Sequence, residues 1–337
     1  MVDQASRLTP HASASRIGQI SIFHPPSSIL YPLDVQFQKI TIIGVGLLGG
    51  SIGLAARHRR LAGEVAGFVR RVASVKDCEK AGAVDYATTD LPAAVSNADL
   101  VILCTPLAQM RARVEEMLPA LKRGAIVTDV GSAKAGVVRE LEPLIKKAGA
   151  HFVGSHPMAG AEKTGVLAAR PDLFVNAVCV VTPGKKSNAA AVRKVEQFWK
   201  SLGARVLNLA PEQHDLLVSR SSHLPHIIAA TLANWVLDPA RPKAQAQLCA
   251  NGFRDTTRIA SGSPEMWRDI ALANRDNLRV ALDDFVRELQ MVQSLLRARH
   301  ARVKLRNADA KRIEIFLAAA KRRRDNWFAN STPTSSE

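Results

Sequence analysis

The chain has 337 residues, of which 47% are hydrophobic, and its formal net charge is +16. That length and apolar content suffice for two packed domains with a substantial core. Every apolar run is interrupted by charged residues, glycine or proline well before the roughly 20 residues that a membrane-spanning helix requires. The composition therefore predicts a soluble globular protein and excludes a membrane-spanning one.

The N-terminal segment and the cysteines bear on where the protein resides. Residues 1–36 contain several serines and prolines, and their longest apolar piece, Ile20 to Phe23, is too short for a secretory signal. We expect a disordered leader, with an organellar transit peptide and a misassigned start codon as the alternatives. Four cysteines lie far apart, without the spacing of a zinc site or a disulfide scaffold: Cys78, Cys104, Cys179 and Cys249. A reducing cytoplasm fits this cysteine pattern.

From Lys39 onward, short apolar runs alternate with helical segments. The six runs are Ile40–Ile43, Glu64–Val69, Leu100–Cys104, Ala125–Val130, His151–Val153 and Val178–Val181. Each is almost continuously apolar, as expected of strands that are buried on both faces. The alternation predicts an α/β domain with a doubly wound parallel sheet and helices on both faces. A further strand, Arg205–Leu209, follows the helical stretch Ala189–Leu202 and is expected to complete this domain, which spans residues 37–210.

Beyond Pro211 the strand signals stop and helical segments dominate. Ser263 can cap a helix that has Pro264 at its first position and Glu265 in its first turn. In the last long helix, apolar residues recur at spacings of four and three: Leu278, Leu282, Phe285, Leu289, Val292 and Leu296. Such a stripe packs against another helix, either inside the domain or across a dimer interface. A homodimer is favoured because the apolar faces of the long helices must be buried. The sequence predicts an all-α C-terminal domain over residues 211–300.

Much of the positive charge lies in a C-terminal tail, residues 301–337, where Lys321 to Arg324 form an unbroken basic run. Such a segment is able to bind nucleic acid or acidic lipid. It lacks an RNA-binding motif and interleaved aromatic residues, so nucleic-acid binding is not favoured. We expect a solvated, helical tail.

A glycine-rich loop joins the first strand to the first helix. Residues 44–51 read GVGLLGGS and are followed by the helical segment Ile52–Arg60. Gly44 permits the tight turn, Gly46 lets the backbone approach a pyrophosphate, and Gly49 allows close contact between helix and strand. The N-terminus of the helix offers free N–H donors to the same group. Because the motif lies between a strand and a helix at the start of a βαβ series, it predicts a Rossmann-type dinucleotide-binding domain.

The end of the second strand bears on the choice of dinucleotide. An NAD site usually carries an acidic residue there that accepts a hydrogen bond from the ribose 2′-hydroxyl, but this chain has Arg70 and Arg71 instead. Guanidinium groups suit a 2′-phosphate, which favours NADP over NAD. The alternative is that one arginine stacks on adenine while NAD binds without an acidic partner. The predicted cofactor contacts are Gly44, Gly46, Leu47, Leu48, Gly49, Arg70, Arg71 and, at the end of a later strand, Thr105 and Pro106.

Four further segments carry the remaining polar motifs: 129–134 (DVGSAK), 154–160 (GSHPMAG), 222–226 (SHLPH) and 251–258 (NGFRDTTR). In order and spacing, these segments and the glycine-rich loop resemble the prephenate/arogenate dehydrogenase family, from the loop to about Leu296. The resemblance implies oxidative decarboxylation of prephenate to 4-hydroxyphenylpyruvate, or of arogenate to tyrosine, with hydride transfer to NAD or NADP, in tyrosine biosynthesis. The motifs leave the choice between prephenate and arogenate open.

The resemblance also implies roles for individual residues. His156 is the expected base, since a neutral imidazole accepts a proton near physiological pH. Ser132 is expected to hydrogen-bond His156 and to lie close to the nicotinamide. Arg254 is expected to bind the substrate carboxylate through a bidentate fork. No metal is required.

Other polar residues in these segments have less defined roles. The family places histidines such as His223 and His226 in the substrate pocket, with a purely structural role as the alternative for either one. Glu162 matches a position at the mouth of the pocket, where it would gate access. His214 is interpreted as structural, and Lys134 either supports its own loop or is solvated.

Two other interpretations keep the same sheet. A dehydrogenase or reductase of the 3-hydroxyacid type also joins a dinucleotide-binding domain to a helical dimerising domain, but its catalytic centre lacks this set of motifs. A non-enzymatic nicotinamide-sensing protein would need cofactor contacts but no proton acceptor. The presence of His156, Ser132 and Arg254 together therefore favours an enzyme.

Overall fold

The computed structural model of the protein describes residues 35–161, 163–297 and 303–331. The predicted leader, residues 1–36, lies outside the described residues except for its last two. Glu162 lies outside them as well.

The sheet contains the predicted strands and one more. The strands are β1 Phe37–Ile43, β2 Ala62–Phe68, β3 Tyr86–Thr88, β4 Leu100–Leu103, β5 Ile126–Asp129, β6 His151–Pro157, β7 Val178–Thr182 and β8 Arg205–Asn208. They pair in the order β3-β2-β1-β4-β5-β6-β7-β8, and the first six in that order are parallel. The predicted doubly wound sheet is confirmed. Its third strand was not predicted, because Tyr86–Thr88 is only three residues long and half-buried.

The sheet is not parallel throughout, which corrects the prediction for its far edge. β7 runs antiparallel to β6, and β8 runs parallel to β7. A parallel connection needs a crossover that carries the chain back to the starting edge of the sheet, and a helix usually provides it. In the described part of the connection between β6 and β7, the only helical element is a single 3₁₀ turn, Val166–Ala168. The chain therefore returns in the opposite direction.

Helices cover both faces of this sheet. They are α1 Leu47–His58, α2 Ala73–Lys80, α3 Leu91–Val95, α4 Leu107–Met117, α5 Ala135–Lys147 and α6 Ala189–Ser201. Neighbouring residues of one strand belong to different cores: Ile42 packs in the cluster that contains Phe198 and Trp199, whereas Ile43 packs in the cluster that contains Val114. This division is expected because successive side chains of a strand point to opposite faces.

The first helix begins earlier than the sequence suggests. It starts at Leu47, inside the glycine-rich loop, rather than at Ile52. Gly49 and Gly50 are buried within it and lack the Cβ atoms that would collide with neighbouring segments. Two glycines in a row lowered the apparent helical character of this stretch, but tertiary packing requires them there.

The remainder of the described chain is helical. The helices are α7 Pro211–Val218, α8 Leu224–Val236, α9 Lys243–Gln247, α10 Asn251–Thr257, α11 Pro264–Ala273, α12 Arg275–Arg297 and α13 Val303–Ser331. A π-helical turn, Ser219–His223, joins α7 to α8. The predicted cap is confirmed: the Ser263 hydroxyl accepts a hydrogen bond from the Met266 N–H at 3.3 Å. No described helix is long and apolar enough to cross a membrane.

The apolar stripe of α12 is only partly covered. At the start of the helix, Leu278 is buried against Leu224 of α8. Farther along, Leu282, Leu289 and Leu296 are 38%, 53% and 70% exposed. Among the described residues of a single chain, the second half of the stripe is therefore not part of a core.

Two glycine substitutions test the packing of α1 against its neighbours. A Cβ atom at Gly53 would overlap the backbone carbonyl of Ala83, whereas a Cβ at Gly136, in the first turn of α5, would meet nothing within 4 Å. We expect Gly53→Ala to lower the free energy of unfolding by about 1–3 kcal/mol, because backbone must shift. Gly136→Ala should leave it unchanged or raise it by less than about 1 kcal/mol. Urea unfolding measures both, and equal stabilities would contradict this packing.

Candidate active site

A cleft of about 320 Å³ opens at the carboxyl ends of β1, β2 and β4. It is lined by Gly44, Val45, Gly46, Phe68, Val69, Arg70, Arg71, Ser74, Cys104, Thr105, Pro106, Gln109 and Arg113. β1 lies between β2 and β4 in the sheet, so the chain order reverses here. Such switch points are where open α/β sheets bind their ligands. Six of the predicted cofactor contacts lie together in this cleft: Gly44, Gly46, Arg70, Arg71, Thr105 and Pro106.

The glycine-rich loop is shaped for a group that approaches its backbone. Gly44 has a φ of +97°, and a Cβ there would lie 2.8 Å from the Cys104 carbonyl oxygen. A Cβ at Gly46 would meet nothing within 4 Å, so the space above this residue is open. The Thr105 hydroxyl in the same cleft is buried and has no hydrogen-bond partner among the described residues. These features fit a dinucleotide pyrophosphate, which would receive hydrogen bonds from the first amides of α1.

The other three residues predicted from the loop do not line the cleft. Leu47 and Leu48 form the first turn of α1 and pack partly buried against the core. A Cβ at Gly49 would collide with the carbonyl of Gly44, which agrees with its predicted role in helix-to-strand contact. Side chains at these positions serve packing, and only their backbone amides point toward the N-terminal end of the helix.

Three arginines surround the outer part of the cleft: Arg70, Arg71 and Arg113. The described lining residues include no carboxylate. Arg113 pairs with Glu116 on its own helix, so its charge is partly neutralised. Arg70 and Arg71 are exposed immediately after β2 and leave this end of the cleft positively charged.

His156 lies near the end of β6, on the same edge of the sheet as the cleft, since β1, β4, β5 and β6 are parallel. Its Nδ1 is 2.9 Å from Nε2 of His214, and Nδ1 of His214 is 2.8 Å from Oδ1 of Asp215. Burial is the main reason that the pKa of His156 lies well below 6.5, and the neighbouring His214, Lys134 and His223 lower it further. The ring is therefore neutral at physiological pH.

His214, interpreted from sequence as structural, thus contacts the predicted base directly. Its neighbour Asp215 is held in turn by the start of α5, since the backbone N–H groups of Lys134 and Ala135 donate to it at 2.7 and 2.9 Å. The side-chain amide of Asn274 donates to the Asp215 backbone carbonyl at 2.7 Å. This arrangement was not predicted from the sequence, because the partners are 58 and 81 residues apart. The adjacent His-Asp pair after Pro211 was the one available signal.

Lys134 supports its loop and is not solvated. Its side chain is fully buried and forms an ion pair with Asp129, and its ammonium group donates to the Ser155 carbonyl at 2.9 Å. Asp129 also accepts a hydrogen bond from the backbone N–H of Ser155, at 3.1 Å, and from that of Gly131, at 2.8 Å. The ends of β5 and β6 are joined by this network.

Ser132 differs from the expectation. Within the described residues, no hydrogen bond joins its side chain to His156, and Nδ1 of that ring is bonded to His214 instead. Ser132 lies on the loop after β5, partly exposed between the buried residues Gly131 and Ala133. The orienting partner of His156 in this structure is therefore a second histidine.

His223 and His226 lie together at the start of α8. His226 stacks on Trp267 with ring centroids 3.5 Å apart, and Nδ1 of His223 is 3.2 Å from the amide nitrogen of Asn274. Nε2 of His223 and Nδ1 of His226 are buried without a hydrogen-bond partner in the described chain. Burial lowers both pKa values, that of His223 to about 4. Two neutral rings thus hold polar atoms that a ligand would satisfy.

Arg254 is not brought to His156 by any described contact. It lies exposed on α10 and lines a separate, open cavity of about 570 Å³, together with Phe253 and Arg258. Glu162, predicted at the mouth of the pocket, lies outside the described residues.

A Rossmann-type sheet with a glycine-lined cleft at its switch point, beside buried neutral histidines on the same edge, is the arrangement of an NAD(P)-dependent oxidoreductase. The family model described as "Prephenate dehydrogenase, nucleotide-binding domain" matches residues 52–208, and the one described as "Prephenate dehydrogenase, dimerization domain" matches residues 210–310. The chain belongs to the prephenate dehydrogenase family.

Individual relatives agree with this assignment. A prephenate dehydrogenase of Bacillus subtilis is 36% identical over 258 residues, which cover 76% of this chain and 69% of the relative. A cyclohexadienyl dehydrogenase of Zymomonas mobilis is 33% identical over 264 residues, covering 77% of this chain and 89% of the relative. The crystal structure of prephenate dehydrogenase from A. aeolicus, in complex with hydroxyphenyl propionate and NAD+, superimposes with a TM-score of 0.77 at 30% identity, covering 86% and 98% of the two chains.

The depressed pKa of His223 predicts how acid affects stability. Below pH 6.5 the unfolded chain binds a proton on this ring, but the folded protein does not until about pH 4. The free energy of unfolding therefore falls as the pH falls through this window, by up to about 3 kcal/mol for this one group. We expect His223→Gln to lose less stability than the unmodified protein when urea unfolding is compared at neutral and mildly acidic pH. Equal losses would show that His223 titrates alike in both states.

Proposed function

We propose that the protein catalyses oxidative decarboxylation of prephenate to 4-hydroxyphenylpyruvate, or of arogenate to tyrosine, in tyrosine biosynthesis. The observation that carries this proposal is the buried, neutral His156 on the same sheet edge as the dinucleotide cleft. Membership of the prephenate dehydrogenase family supports the substrate class.

The reaction needs a proton acceptor more than any other group from the protein. The substrate ring carries a hydroxyl and a carboxylate, and the bound nicotinamide supplies the hydride acceptor. As hydride leaves the carbinol carbon, the hydroxyl proton passes to His156, and carbon dioxide departs as the ring becomes aromatic. Nδ1 of His156 faces His214, so Nε2 is the atom available to take the proton. The same atom then returns it to the phenolate oxygen, and no net proton is released.

The proposed cofactor contacts are the glycine-rich loop with the first amides of α1, Thr105, Pro106 and, on the nicotinamide side, Ser132. Arg70 and Arg71 support a preference for NADP over NAD, because no carboxylate lies among the described lining residues to receive a ribose hydroxyl. A 2′-phosphate would instead meet two guanidinium groups.

Charge removal at the cleft tests the cofactor preference. We expect Arg70→Gln combined with Arg71→Gln to raise KM for NADP by about 10-fold or more relative to KM for NAD, since charge-assisted hydrogen bonds to phosphate are lost. Replacing the exposed Arg193 of α6 by Gln removes charge outside the cleft and should leave the ratio unchanged. A ratio that stays constant in the cleft variant would favour adenine stacking with NAD.

His223 and His226 are proposed to hydrogen-bond the substrate through the ring nitrogens that lack partners. Arg254 is proposed to bind a substrate carboxylate, and its exposure leaves the guanidinium available for that role. Glu162 at the pocket mouth remains a prediction.

Incubating the purified protein with prephenate or arogenate, each with NAD and with NADP, identifies the substrate. If the nicotinamide is not reduced in any of the four mixtures although the dinucleotide still binds, the proposed reaction is refuted.

The helical segment is proposed to form a homodimer. The half of the α12 stripe that is exposed in one chain supports this, as does the match of residues 210–310 to a dimerization domain. We further propose residues 37–210 as the cofactor domain and 211–300 as the substrate and dimerisation domain. We propose a cytoplasmic location because the four cysteines are free thiols, as a reducing compartment would keep them. Helix α13 is expected to be solvated rather than bound to nucleic acid.

Replacement of His156 tests the assignment of the base. We expect His156→Asn to lower kcat by at least about 100-fold, because no other group takes the hydroxyl proton. Reduced-nicotinamide absorbance measures turnover, and fluorescence titration should give a dinucleotide Kd within a few-fold of the unmodified protein. A normal kcat in this variant would remove His156 from the mechanism.

A further inference from the structure

Three buried side chains form a series that ends at the proposed base. His156, His214 and Asp215 are 7%, 0% and 2% exposed, and each hydrogen-bonds the next. The two rings meet edge to face, with centroids 5.1 Å apart and planes at 69°. Water cannot compete for these contacts at such burial. The direction in which each bond donates is therefore set by the groups themselves.

The carboxylate end of the series determines that direction. Asp215 already accepts hydrogen bonds from the backbone N–H groups of Lys134 and Ala135, at 2.7 and 2.9 Å. An ionised carboxylate only accepts, so His214 must donate to it from Nδ1. A neutral His214 then presents a lone pair at Nε2, and His156 must carry its own proton on Nδ1. The reverse arrangement would place a ring lone pair against a carboxylate oxygen.

We propose that Asp215 and His214 are positioning residues that hold His156 as the Nδ1–H tautomer and so leave Nε2 free to accept the substrate proton. This inference rests on the proposed role of His156 as the base. It means that two residues of α7, His214 and Asp215, determine how His156 on β6 functions as the base.

The series also stabilises the charge that His156 acquires during the reaction. Once protonated, the ring keeps its Nδ1–H directed at His214, which remains bonded to the Asp215 carboxylate. Other charged and titratable groups around His156 are Lys134, which is neutralised by Asp129, and His223, whose pKa is about 4. Asp215 is thus the anion to which an imidazolium at His156 is connected by hydrogen bonds.

Asp215→Asn is the decisive substitution. An amide at this position removes the negative charge that stabilises a protonated His156. Where its NH₂ group takes the place of Oδ1, it also donates to Nδ1 of His214, moves the His214 proton to Nε2 and forces His156 to become the Nε2–H tautomer. We expect kcat to fall by about 1,000-fold or more, as in serine proteases when the triad aspartate is replaced by asparagine. The substrate KM and the dinucleotide Kd should stay within a few-fold, because the wrong tautomer still fills the same volume.

His214→Gln is the matched control. Its amide oxygen can accept from Nδ1–H of His156 while its NH₂ group donates to Asp215, so the tautomer of His156 is preserved without a second ring. We expect a loss in kcat of about 10-fold or less, far smaller than in Asp215→Asn. If the glutamine variant is as impaired as the asparagine variant, tautomer control is not the function of His214.

Nitrogen-15 NMR of histidine-labelled protein reads the tautomer directly, with the His156 signals assigned by their loss in His156→Asn. The expected result is a protonated Nδ1 and an unprotonated Nε2 in the unmodified protein, reversed in Asp215→Asn. An Nε2–H tautomer in the unmodified protein would overturn the inference even if neither Asp215→Asn nor His214→Gln folds. Normal turnover in His156→Asn would refute the proposed base itself. An inactive His156→Asn beside a fully active Asp215→Asn would refute only the positioning series.

Discussion

The buried ion pair between Lys134 and Asp129 is the interaction on which the geometry of the site depends. Two charges removed from water are stable only when every remaining donor and acceptor is satisfied. Here backbone groups at the ends of β5 and β6 bond both members of the pair, with Ser155 providing both an N–H and a carbonyl. Because the pair fixes the loop that begins α5, it also fixes the two amides that bind Asp215. His156 is oriented through that connection.

Local signals in the sequence predicted six of the residues that line the cleft at the switch point. Gly44, Gly46, Arg70 and Thr105 come at strand ends, and parallel strands bring such ends to a single edge regardless of the details of packing. The doubly wound sheet followed from the same alternation of buried strands and helices. The reversal of β7 did not, because an apolar strand has the same composition in either direction.

The surroundings of His156 were only partly predictable. His156 was found through its motif, but the identity of its partner depends on a contact between β6 and α7 that no local pattern encodes. Lys134 is a similar case, since a lysine on a loop is normally solvated and only the surrounding carboxylate and carbonyl groups make its burial possible. Buried polar networks of this kind are specified by tertiary structure, and the spacing of apolar residues along the sequence does not predict them.

Gly50 gives the glycine-rich loop a second purpose. A Cβ on this residue would lie 2.9 Å from that of Ala169 and 3.1 Å from a methyl group of Val166, and the Ser51 hydroxyl accepts a hydrogen bond from the backbone N–H of Arg170. The segment that follows His156 is thus seated on the helix whose N-terminus faces the cleft. The glycine-rich loop and the strand that carries His156 are therefore joined through this contact of α1 with residues 166–170 as well as through the sheet.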